Sequence, residues 1–99
     1  MNLKAFIESL HANTPPAGLN LGLQALWYDR RGDWSKAHEL VQSQDDRTGA
    51  WVHAYLHRKE EDASNAAYWY RRAGELMKDV PLEVEWEQIV ERLLGQPHR

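Results

Sequence analysis

Ninety-nine residues, with 12 Lys and Arg against 15 Asp and Glu and a net charge of −3, fit one domain and carry no basic surplus for a nucleic-acid backbone. The absence of cysteine excludes disulfides, thiolate metal sites and cysteine nucleophiles. No stretch approaches the ~20 consecutive apolar residues of a membrane span, and Met1 to Pro16 lack the apolar run of a signal peptide, so a cytoplasmic protein without a membrane segment is expected.

Val, Ile and Thr are sparse and no run alternates apolar and polar residues over strand length, which leaves helices. The first spans about Asn2 to Asn13 with Leu3, Phe6, Ile7 and Leu10 at helical spacing, and Thr14, Pro15, Pro16 and Gly18 stop it. A second runs from about Leu19 to Arg31 and ends at Gly32, a residue suited to the positive φ beyond a helix end. Asp33 then caps a third, about Trp34 to Gln44, with Trp34, Ala37, Leu40 and Val41 on one face. After the break DDRTG, a fourth is expected over about Ala50 to Glu60, and Asp62 caps a fifth over about Ala63 to Lys78. Pro81 opens a sixth whose stripe is Leu82, Trp86, Ile89, Val90 and Leu93, closed by Gly95 and Pro97. In the fifth helix Ala66, Trp69, Tyr70, Ala73 and Met77 share the inner arc. Tyr68, Arg71, Arg72 and Glu75 lie opposite, with Tyr68 and Arg72 spaced for a cation–π pair.

Shifting the chain by 29 residues lays the second and third helices on the fourth and fifth: Ala25 on Ala54, Asp33 on Asp62, Ala37 on Ala66. Ala25, Tyr28, Gly32, Asp33 and Ala37 resemble a degenerate tetratricopeptide repeat, and Trp69 to Ala73 is similar to the shorter Sel-like relatives. Glu61 stands where the turn glycine belongs and His57 where a tyrosine would. The resemblance covers about Leu19 to Lys78. It implies one all-α domain over 1–99, of two stacked antiparallel hairpins with the first and last helices as caps. It also implies a scaffold that binds a peptide or partner helix, in a groove lined by the first helix of each hairpin. Trp51, Tyr55, Arg58 and Lys59 would lie along that groove as the partner-binding residues. An aromatic platform with a guanidinium suits an acidic side chain or a C-terminal carboxylate. The sixth helix, with Trp86 and its glutamates, is the competing occupant.

Chemistry has less to stand on. His53 and His57, four apart, share a helix face and can hold a metal ion, with a third ligand from Glu60, His38 or elsewhere in the chain. The zincin pattern needs a glutamate directly after the first histidine, and Ala54 is there. No metal, cofactor or catalytic residue is therefore assigned. Glu83, Glu85, Glu87 and Glu91 read as a helix surface. Nucleic-acid binding through Arg47, Arg71 and Arg72 is disfavoured by interspersed acids. The expected function is a small interaction module for a protein or peptide partner, or for self-association. The alternative is a metal- or small-molecule-binding protein or enzyme built on His53, His57 and the tryptophans.

Overall fold

Five of the six helices start at a short polar side chain that accepts from the backbone N–H three residues on: Asn2 from Ala5, Asn20 from Leu23, Asp33 from Lys36, Asp46 from Gly49 and Asp62 from Asn65. These caps fix the boundaries in the computed structural model, which describes residues 1–77 and 79–95. The elements are α1 (Leu3–Ser9), α2 (Leu21–Arg30), α3 (Trp34–Gln42), α4 (Arg47–Lys59), α5 (Ala63–Ala73) and α6 (Leu82–Leu94). The fold is all-α, and no strand occurs among the described residues. No helix is long and apolar enough to cross a membrane among those residues.

Three boundaries differ from expectation by three residues or more, the first being α1, which ends at Ser9 rather than Asn13. α4 starts earlier than Ala50, because Asp46 caps it from within the break. α5 stops at Ala73, where Gly74 takes φ 71° as a left-handed terminator. Met77 is consequently off the helix and 50% exposed, not part of the inner face. Lys78, the expected last residue of that helix, and the stop signal at Pro97 lie outside the described residues.

The hairpins α2–α3 and α4–α5 are the most extensively packed pairs. Their contacts are built on small residues: Ala25, Ala37, Ala54 and Ala66 are all fully buried or nearly so, which lets the helix axes approach closely. The two inter-helix turns repeat one conformation. Gly32 has φ 89° and Glu61 has φ 63°. The following aspartates have nearly equal dihedrals, φ −108°, ψ 74° at Asp33 and φ −97°, ψ 79° at Asp62. The Asp33 N–H donates to Tyr28 O and the Asp62 N–H to His57 O, each at 2.9 Å.

α4 is the central helix, buried without interruption from Gly49 to Leu56 and packed on α2, α3, α5 and α6. α6 lies across α2 and α4, and α1 covers α6. The seam is aromatic: Trp86 is fully buried, its Nε1–H donates to Leu26 O at 3.0 Å, and the Phe6 ring centroid lies 5.8 Å away. The Arg30 guanidinium sits 4.0 Å from the Trp86 ring centroid. α3 and α5 both pack on α4 but not on each other, so a cleft runs between them with α4 as its floor.

Candidate functional site

Of the strip offered to a partner, Trp51 and Tyr55 are turned inward, Arg58 is partly buried and Lys59 is exposed. Trp51 and Tyr55 are each 3% exposed. Two buried carboxylates, Asp29 of α2 and Glu85 of α6, engage all four strip residues. Tyr55 Oη–H donates to Asp29 Oδ2 at 3.0 Å and Lys59 Nζ to Asp29 Oδ1 at 2.9 Å. Trp51 Nε1–H donates to Glu85 Oε2 at 3.1 Å and Arg58 Nη1 to Glu85 Oε1 at 2.7 Å, while Arg58 Nη2 donates to Val80 O. Tyr70 Oη–H completes the shell around Glu85 at 2.5 Å. Burial, followed by the adjacent Asp29 and Glu85 carboxylates respectively, raises the Tyr55 and Tyr70 hydroxyls, so both remain donors. The acidic group that an aromatic platform with a guanidinium suits is thus supplied from within, by α2 and α6.

Glu85 is also a correction. It is fully buried and not part of the surface row of glutamates. Its position three after Leu82 and four before Ile89, on the apolar stripe, is the sequence signal that identifies it.

On the opposite side of α4 the histidines converge. His53 and His57 point from α4 toward His38 of α3, one of the residues named as a third partner. One ring nitrogen from each of the three lies within 4.8 Å of the others, and His53 Nε2 is 2.9 Å from His38 Nε2. Two tryptophans enclose the group. Trp69 of α5 stacks on His53 at 3.9 Å and 9°, and Trp34 of α3 stacks on His38 at 4.9 Å and 10°. The His53 and His57 rings stack at 5.1 Å. Trp34 Nε1–H donates to Leu56 O at 3.0 Å, which fixes that wall to α4. Burial, then the neighbouring His38 and His57 rings, push His53 down to about 4. Burial and His57 lower His38 against the opposing pull of Glu60. Both rings are therefore neutral near pH 7, the form that ligates a metal. His57 Nδ1 is buried without a hydrogen-bond partner, with Glu60 Oε1 3.5 Å away.

His53 and Trp69 also line the cleft between α3 and α5, which encloses about 690 Å³. At its mouth stands Arg72 of α5, with its guanidinium carbon 5.4 Å from the Trp69 ring centroid and 5.9 Å from that of Tyr68. The Tyr68–Arg72 pair is thus formed, and the Arg72 side chain remains about half exposed. Its ion pair is with Asp45, 3.5 Å away and almost wholly in solvent. Asp46, beside it, is committed to the α4 cap. Burial opposes its charge, but bonds from the Gly49 N–H, Gln44 and Thr48 outweigh that and lower its carboxyl.

Comparison with protein-family models, curated proteins and solved structures found no match to this chain. Its chemistry is read from its own side chains.

Proposed function

We propose that the chain is a small helical interaction module that takes an acidic segment of a protein partner, a side chain or a C-terminal carboxylate, into the cleft between α3 and α5. Arg72 is the anchor. The observation that carries this reading is the half-exposed guanidinium resting on Trp69 and Tyr68 at the mouth of a 690 Å³ cleft. Ring contacts limit the rotamer freedom the side chain would lose on binding, and a guanidinium offers a carboxylate two parallel N–H donors. The exposed Asp45 carboxylate at 3.5 Å is a weak internal stand-in for the partner's acid, easily exchanged. The resemblance to tetratricopeptide repeats belongs to the same proposal, with one change: the binding face is formed by the second helix of each hairpin, because α6 covers the first.

The test is a display library of peptides with free C-termini, selected against the wild-type chain and against Arg72→Glu. Acidic C-terminal sequences should be enriched by the wild type alone, and the melting temperature of the variant should stay within a degree or two, since an exposed pair contributes little to folding. Equal enrichment by both proteins would place capture elsewhere.

A further inference from the structure

We propose that His38, His53 and His57 form a binding site for a single divalent transition-metal ion of the zinc, nickel and copper group. The site is tested separately from the Arg72 reading, because Arg72 is not among its ligands, although His53 lines the same cleft.

Geometry comes first. A tetrahedral zinc ion bound at ~2.0–2.1 Å holds its ligand nitrogens roughly 3.3 Å apart. One ring nitrogen from each lies within 4.8 Å of the others, and His53 Nε2 and His38 Nε2 are 2.9 Å apart. The widest separation exceeds the tetrahedral spacing by up to about 1.5 Å, which rotation of the imidazole rings has to close. Rigidity comes second. Two ligands sit four apart on the fully packed α4, and the third is held against them by the Trp34 stack and the α3–α4 contact. Trp69 closes the opposite face of His53, so the rings are oriented before any ion arrives.

The third observation is a buried polar atom that makes no hydrogen bond. His57 Nδ1 is buried and makes no hydrogen bond. A buried nitrogen lone pair or N–H left in this way is unfavourable unless something else engages it. With His57 bound to an ion, either Nδ1 is the ligand atom, or it carries the proton and turns it toward Glu60 Oε1, 3.5 Å away, which then orients the ring from outside. An all-imidazole donor set selects the ion class: calcium and magnesium require oxygen ligands, whereas zinc, nickel and copper accept imidazole readily. Three protein ligands leave a further coordination position for water or for a group entering from the cleft, which His53 also lines.

The experiment uses the full chain, stripped with chelator and titrated with Zn²⁺ alone by calorimetry, with Co²⁺ visible absorption as a second reading of coordination. His38→Gln and His57→Gln are compared with His11→Gln, a change at an exposed histidine outside the cluster. One equivalent should bind to the wild type and to His11→Gln, and the wild-type melting temperature should rise with metal by mass action. Either cluster variant should lose more than the ~10–100-fold that changes outside a metal's own ligands cause. No stoichiometric binding by the wild type, or undiminished binding by both cluster variants, would overturn the site. Should a variant fail to fold, imidazole nitrogen NMR of the wild type decides: Zn²⁺ must shift the rings of His38, His53 and His57 while His11 stays unmoved, and any other pattern rejects the site.

Discussion

At Glu61 a side chain occupies a backbone conformation that favours glycine. Its φ of 63° repeats the 89° of Gly32 in the equivalent turn, and the same capping aspartate follows in both. An L-residue in the left-handed region costs ~1–2 kcal/mol, and Glu61 is exposed, with no packing to offset the strain. Glu61→Gly is therefore expected to raise stability by about 1 kcal/mol in urea unfolding. A loss would mean that the glutamate side chain holds the turn. Much at this scale was legible in the sequence, because caps and turns are local: Asp33 and Asp62 act where their spacing put them, and Glu61 stands out as a substitute for glycine. His38 was legible only as a possibility. Its meeting with His53 depends on how α3 leans on α4, and nothing in the spacing of residues fifteen apart specifies that.

Helix faces were legible because apolar periodicity reports which side of a helix is buried, but it does not say what buries it. Trp51, Tyr55 and Arg58 lie on one side of α4, where they meet the buried carboxylates Glu85 and Asp29. The cover of this strip was undetermined because the Trp51–Glu85 bond joins residues 34 apart. The burial of Glu85 makes this contact a strong stability determinant. Arg58→Glu would set two carboxylates against each other at a position where Glu85 has no exposure, and would leave Tyr70 and Trp51 beside an uncompensated charge. Breaking a buried pair from one side costs ~3–5 kcal/mol, and thermal or denaturant unfolding should register a loss of that size. An unchanged midpoint would show that α6 is not seated on α4 in solution. The contrast with Arg72→Glu separates two arginines that resemble one another in sequence: one is a fold residue, the other a surface one.

Across the whole molecule, α6 holds the first helices of the two hairpins together. Trp86, Ile89 and Val90 are fully buried and Leu93 nearly so, and fully burying a large apolar side chain contributes roughly 1.5–3 kcal/mol. A chain ending at Pro81 loses all four, along with the acceptor of Trp51, Arg58 and Tyr70. Circular dichroism of that truncation should keep some helix signal but lose the cooperative thermal transition. A sharp melt near the full-length temperature would assign the core to the hairpins alone.

The order in which the helices leave the ribosome adds a consequence to this arrangement. Both hairpins pair neighbours in sequence and can close while synthesis is under way, whereas the Trp86 bond to Leu26 spans 60 residues and must wait for the sixth helix. Until then the nascent chain presents Trp51, Arg58 and Tyr70, the three residues that later donate to Glu85, to the surrounding medium. This aromatic, charged strip is of the kind that chaperones grip, and its exposure ends when α6 docks.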